Sequence, residues 1–182
     1  MFKLTHSQNK LLKQAIILTM ILLITGITAA VVFSNSSFVT KSGDFVEQPI
    51  AFSHQTHAGD IGLDCRFCHY SVEKNWSAGM PTVETCFGCH REILSNSDYL
   101  RIVRENFKNR KPIQWRKVNQ IADHVYFHHG KHIQAGVHCS SCHGDVASSP
   151  LLAPKQPFSM EYCLNCHKTQ GPKLMDCYTC HR

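Results

Sequence analysis

The chain has no cysteine to spare. All ten of its cysteines stand in Cys-x-x-Cys pairs, and none is left over. A phosphate-binding glycine loop, a catalytic triad and a carboxylate pair in supporting context are missing too, so nothing in the sequence points to hydrolysis or phosphoryl transfer. Charge is absent from Ala15 to Phe33 (AIILTMILLITGITAAVVF), and no acid precedes that run, only Lys3, Lys10 and Lys13. Long helical periodicity is scarce elsewhere, because Gly59, Gly62, Gly79, Pro81, Gly136, Gly144, Pro150, Pro154, Pro157 and Gly171 interrupt it.

The pairs share one further feature: a histidine follows the second cysteine every time. The first motif is Cys65 and Cys68 with His69, the second Cys86 and Cys89 with His90, and the third Cys139 and Cys142 with His143. The fourth is Cys163 and Cys166 with His167, and the fifth Cys177 and Cys180 with His181. Two thiols at this spacing reach both vinyl groups of one porphyrin and form thioethers, and the imidazole of the next residue then lies under the iron. Disulfides or zinc would also use ten cysteines, but neither needs a histidine after each pair. The expectation is five covalently bound haem c groups, with those five histidines as proximal iron ligands.

The apolar run has the length of a membrane span, since about 19 residues at 1.5 Å each nearly cross a hydrocarbon layer of roughly 30 Å. Lysines before it orient the amino terminus to the cytoplasm and the remainder outward. A cleavable signal has a shorter apolar core, and Val32-Phe33-Ser34 is a weak cleavage site, so an uncleaved anchor is the reading. The chain is therefore placed in the inner (cytoplasmic) membrane, with a periplasmic haem domain.

The formal net charge of +6 does not indicate nucleic acid. Lys3, Lys10 and Lys13 sit on the cytoplasmic side, and each oxidised haem brings two propionates against one positive charge on its core. The exported holoprotein is near neutral or slightly acidic.

Residues 1–33 thus form the cytoplasmic end and anchor, 34–48 a polar tether, and 49–182 a haem domain. Within that domain Phe52-Ser53-His54-Gln55-Thr56-His57 precedes the first motif as Phe127-His128-His129-Gly130-Lys131-His132 precedes the third. A second motif follows in each copy, with Glu84 and Glu161 two residues before its first cysteine. This pattern reads as a duplicated two-haem unit: repeat one at 49–92, a connector at 93–123, repeat two at 124–168, and a fifth haem at 169–182. In the connector, Ser97 could cap a helix through DYLRIVRENFKN, with Leu100, Val103 and Phe107 on one side and Pro112 as its stop. About thirty exported residues per haem leave no room for an ordinary apolar core, so the porphyrins must serve as core. The fold class is mainly α-helical and irregular, with little or no sheet.

The second iron ligand separates a carrier from an enzyme. Among histidines on the exported side, the repeat selects His54, His57, His129 and His132 as distal ligands, their three-residue spacing placing two imidazoles on one side of a helical turn. The fifth distal position is open among His124, His128 and His138, with Met160 and Met80 as thioether candidates. With all five irons six-coordinate, none binds substrate, and the expectation is electron transfer rather than catalysis. Arg101, Arg104, Lys108, Arg110, Lys111, Arg116 and Lys117 make the connector basic, either to pair with propionates or to dock an acidic partner. Trp76, Trp115, Phe52, Phe67, Phe87, Tyr126 and Phe127 are expected to pack on porphyrin faces and edges.

The Phe-x-His-x-x-His element is similar to that of class III, or cytochrome c3-like, multihaem cytochromes. The stretches AFSHQTHAGDIGLDCRFCHYSVEK, RKPIQWRKV, HVYFHHGKHIQAGVHCSSCHGDV and FSMEYCLNCHK together resemble the pentahaem cytochrome subunit of bacterial alternative complex III. That resemblance implies a membrane-anchored periplasmic cytochrome passing electrons from quinol toward a monohaem cytochrome c or a terminal oxidase. Its implied neighbours are an iron-sulfur, molybdopterin-like subunit and polytopic quinol-binding subunits. Alternatives are a menaquinone reductase cytochrome, a quinol dehydrogenase of nitrate or nitrite respiration and, from another class, a haem enzyme such as a nitrite reductase.

Overall fold

The structure, a computed structural model, describes residues 5–181; Lys3, one of the three lysines read as orienting the span, lies outside them. No strand occurs among the described residues. The chain divides into two compact units, one ending at Ser42 and the other beginning at Gly43.

The first unit is dominated by α1, His6–Ser34, 29 residues long. Thr5 and Gln8 form a reciprocal capping box: the Gln8 N–H donates to Thr5 Oγ1 and the Thr5 N–H to Gln8 Oε1. None of the residues of α1 is buried within the protein, and by length and composition the helix is apolar enough to cross a membrane. A four-residue helix, α2 (Ser37–Thr40), follows in the stretch read as a tether and ends at Lys41 in the left-handed region at φ 57°.

The second unit is built from short helices joined by irregular chain: α3 (Cys65–Cys68), α4 (Val83–His90), α5 (Arg101–Lys108), α6 (His129–Gln134), α7 (Ser140–His143), α8 (Met160–Gln170) and α9 (Cys177–Cys180). A π-helical turn occupies Gln55–Asp60. Among the described residues only Ile50, Val72, Val83, Val103 and Ile113 are buried apolar side chains, which is little for a unit this long and agrees with a domain that lacks an ordinary core.

What core there is gathers around the connector. Ile50, Val83, Val103 and Ile113 cluster, with Phe87, Leu100, Ile102 and Trp115 packed against them, and Phe87 stacks on Phe107 at 3.9 Å. Phe87 and Trp115, expected on porphyrin, thus also serve a protein core. Gln48 fastens this cluster: its amide accepts from the Arg116 N–H at 3.0 Å and donates to the Arg116 carbonyl at 2.9 Å.

The connector helix differs at both ends from the sequence reading. A 3-10 turn at Asp98–Leu100 precedes α5, and the Ser97 side chain makes no capping bond; the Ser95 and Ser97 carbonyls accept from Arg104 Nη1 at 2.9 and 2.7 Å instead. The helix stops before Pro112 is reached. Arg110 adopts φ 52°, its N–H bonds the Phe107 carbonyl at 3.2 Å and the Lys111 N–H bonds that of Asn106 at 2.9 Å. This is a Schellman closure with arginine where glycine is usual.

Candidate haem attachment sites

Each motif lies on or beside a helix, a single turn at α3, α7 and α9, eight residues in α4 and 11 in α8, which sets its two cysteines three residues apart along one side. The turns at the first and fifth motifs are capped by the residue just before the first cysteine. Asp64 Oδ1 accepts from the Arg66 N–H at 2.8 Å, and Asp176 Oδ1 accepts from the Tyr178 N–H at 2.8 Å. Arg66 also grips the Asp64 carboxylate through Nε and Nη2, both at 2.9 Å, and these bonds hold its pKa down to about 2. Ser159 caps α8 through the Tyr162 N–H at 3.2 Å.

In the three middle motifs the second cysteine is fixed through its carbonyl. Cys89 O accepts from the Ile93 N–H at 3.0 Å, Cys142 O from Gln156 Nε2 at 3.3 Å and Cys166 O from Thr169 Oγ1 at 2.7 Å. These bonds hold the end of each turn, where the proximal histidine follows.

All ten cysteines are free of disulfides, so the disulfide alternative has no support in the structure. Cys65, Cys89, Cys166 and Cys177 are exposed, while Cys68, Cys86, Cys139, Cys142, Cys163 and Cys180 are half-buried. None is sealed inside the polypeptide, and thiols that must react with a vinyl group need that access. Among the described residues no three His, Cys, Asp or Glu side chains converge on a site for a bare metal ion, as a structural zinc would require.

Opposed histidines are found instead. Ring centres are 6.0 Å apart for His57 and His90, 6.4 Å for His129 and His143, 6.1 Å for His132 and His167, and 5.6 Å for His124 and His181. His54 lies near His69: burial first, then the His69 imidazole and that of His57, push its pKa down to about 4. His143 is lowered as well, by burial and then by His129 and His69.

These spacings suit one metal between two imidazoles. A metal–imidazole bond of about 2.0–2.1 Å, plus about 1.1 Å from nitrogen to ring centre, puts opposed ring centres roughly 6 Å apart. Hydrogen bonding at the other ring nitrogen points the same way. A carbonyl can only accept, so a ring nitrogen bonded to one carries the proton and leaves Nε2 with a lone pair for iron. His69 Nδ1 donates to Gly79 O at 2.7 Å, His90 Nδ1 to Ile93 O at 3.1 Å, His57 Nδ1 to Ser53 O at 2.9 Å and His132 Nδ1 to His128 O at 3.0 Å. His129 Nδ1 donates to Trp76 O at 2.5 Å and His181 Nδ1 to His124 O at 3.3 Å.

The candidates for the fifth distal position separate on this basis. His124 faces His181, nearly parallel at 19°. His138 turns its Nδ1 to Ser140, 2.7 Å from the hydroxyl and 3.3 Å from the backbone N–H. His128 stacks on Trp76 at 6.5 Å. Met80 and Met160 are exposed, and with His124 beside His181 each of the five motif histidines has another imidazole nearby.

Two phenylalanines sit alike. Phe52 stacks on His57 at 4.5 Å and meets His54 edge-on at 4.8 Å, while Phe127 lies 4.5 Å from His132 and meets His129 edge-on at 4.7 Å. Each wedges between two histidines three residues apart and restricts both rings. Residues that sequence reasoning missed are those whose backbone orients a ring, Gly79, Ile93 and Trp76, since a carbonyl carries no side-chain signal. Asn119 is another: its amide lies 3.2 Å from His143 Nδ1, and a half-turn of that amide offers Oδ1 as acceptor.

The donors fit haem c. Paired thiols on one turn, an adjacent imidazole and an opposed imidazole are its attachment and ligation set. Trp115 Nε1 is a buried donor without a protein partner among the described residues, as a group bonded to a porphyrin edge or propionate would be. Beside Trp115, a cleft of about 330 Å³ is lined by Met80, Val83, Ile113 and the cations Arg110 and Lys111.

No family model matches the sequence. A relative, the multihaem cytochrome c subunit of menaquinone reductase from Nitratidesulfovibrio vulgaris (strain Hildenborough), is 33% identical over 167 residues, covering 86% of this chain and 78% of the relative. With this likeness along most of both chains, the protein belongs to the same family of multihaem c-type cytochromes.

Proposed function

We propose that the chain is a membrane-anchored, periplasmic five-haem wire in a quinone-linked respiratory complex. The haems would be held in turn by Cys65 and Cys68, Cys86 and Cys89, Cys139 and Cys142, Cys163 and Cys166, and Cys177 and Cys180. His69, His90, His143, His167 and His181 would ligate from the proximal side, opposed by His54, His57, His129, His132 and His124 in that order. Bound haem supplies reversible one-electron chemistry; the polypeptide fixes the imidazoles, directs their protons away from the iron and closes both faces to substrate. The observation that carries the reading is the set of imidazole pairs, four with ring centres 5.6–6.4 Å apart and His54 near His69. It favours an electron carrier over a haem enzyme, which needs an open face. The matching contacts of Phe52 and Phe127 support a duplicated two-haem unit.

The resemblance to alternative complex III favours flow from quinol through an iron-sulfur subunit and polytopic quinol-binding subunits toward a monohaem cytochrome c or an oxidase. The Nitratidesulfovibrio relative favours the opposite direction, since its complex is named for reducing menaquinone. The test uses the complex purified through this subunit. Anaerobic addition of menaquinol or ubiquinol should reduce its haems, and turnover with oxidised cytochrome c should exceed turnover from reduced cytochrome to quinone. Faster reverse turnover selects the menaquinone-reducing role, and haems that respond to neither quinol nor quinone refute a quinone-linked one.

A further inference from the structure

Attachment motifs numbered along the chain need not be neighbours in that order in space, and here two sets of contacts cross between the repeats. The turn that follows His54, Gln55–Asp60, rests on the segment after the third motif: the Gln55 N–H donates to the Ser149 carbonyl at 3.2 Å, and Gly59 lies so close to the Ala147 carbonyl that no side chain fits between. Helix α6, which carries His129 and His132, rests on the segment after the first motif. The Gly130 N–H donates to Asn75 O at 3.1 Å and Gln134 Nε2 to Glu73 O at 3.3 Å, and a Cβ on Gly130 would stand 2.6 Å from Glu73 O. The exchange is reciprocal, so the first and third motifs face each other at its centre, where the Cys65 and Cys139 thiols are neighbours.

The second and fourth motifs lie outside this centre. Phe52 contacts both His54 and His57, which tie the second motif to the first through one turn, while α4 also packs on α5 through Phe87 and Phe107. Phe127 ties the fourth motif to the third in the same way through His129 and His132, and the Tyr162 hydroxyl donates to Ser141 O at 2.8 Å. The fifth motif joins the fourth. The Tyr126 N–H, next to Phe127, donates to Cys180 O at 2.8 Å, and the Cys163 and Cys180 thiols are neighbours.

We infer that the five haem sites follow the spatial order second, first, third, fourth, fifth, an unbranched line. Its ends are the site of Cys86, Cys89 and His90 and the site of Cys177, Cys180 and His181. The inference rests on the five-haem reading above and adds where electrons enter and leave: a partner exchanges them at an end haem, at the connector side or at the carboxyl-terminal side. A wire in sequence order would bring electrons through the second site directly to the third. In this arrangement they pass through the first.

The test is a structure of the haem-loaded, full-length protein in its complex, with each iron assigned through its thioether links. The order predicts that the first iron lies nearer the third than the second iron does, and that the second and fifth have one near neighbour each. A second iron adjacent to the third would overturn the order while leaving five bis-histidine haems intact. Fewer than five haems, or an iron lacking its second histidine, would instead overturn the reading beneath it.

Discussion

A histidine's unprotonated nitrogen decides whether it can take a metal, and in this chain backbone carbonyls make that choice. Gly79, Ile93, Ser53, His128, Trp76 and His124 each supply the carbonyl that keeps one ring proton on Nδ1. Position sets His124 apart from His138, since its ring lies 5.6 Å from that of His181. Replacing His124 with alanine is expected to leave one haem in five with a high-spin ferric signal, whereas His138→Ala leaves the spectrum low-spin; electron paramagnetic resonance of the two variants checks this. Acid behaviour follows from burial. The pKa of His54 falls from 6.5 to about 4 on folding, so its stabilising contribution is complete above pH 6.5 and is lost as pH falls through about 4. Iron competes with the proton and can only lower that midpoint. Acid titration of the low-spin spectrum should therefore show no displacement of this ligand between pH 6.5 and 5. A high-spin transition at the first haem within that range would contradict the burial of His54.

Single turns, rather than long helices, carry the architecture. The turns bearing the first, fourth and fifth motifs are capped by Asp64, Ser159 and Asp176, and the two distal turns are fitted to opposite repeats by a glycine each. Gly59→Ala and Gly130→Ala should each lower unfolding stability by about 1–3 kcal/mol, the usual cost of overpacking, because each new methyl would meet a backbone carbonyl. Gly88→Ala, with nothing within 4 Å of its Cβ position on α4, should be neutral or stabilising by up to ~1 kcal/mol. Denaturant unfolding of the three variants compares them. The elements were only partly legible from residue patterns. Val103 marks the buried side of α5, but the Schellman stop at Arg110 was hidden because arginine rarely takes that conformation. The two copies of Phe-x-His-x-x-His are alike in sequence, yet one forms a π-helical turn and the other an α-helix.

At the scale of the molecule, a long apolar helix and a helical unit with little apolar core are joined in one chain. Motif spacing picks out the paired cysteines and the four histidines proposed as distal ligands, because both patterns are local. The histidine proposed opposite His181 was not marked that way, since His124 meets His181 across 57 residues of chain and no repeat picks it out. The crossing of the two repeats was equally hidden, being made largely by backbone groups. With so few buried side chains, haems acting as the core tie ligation to stability, and the whole account rests on every iron being closed on both faces. Spin-quantified electron paramagnetic resonance of the oxidised, haem-loaded protein tests that most directly. The account predicts five low-spin ferric haems per chain and no high-spin component; one stoichiometric high-spin haem would contradict it.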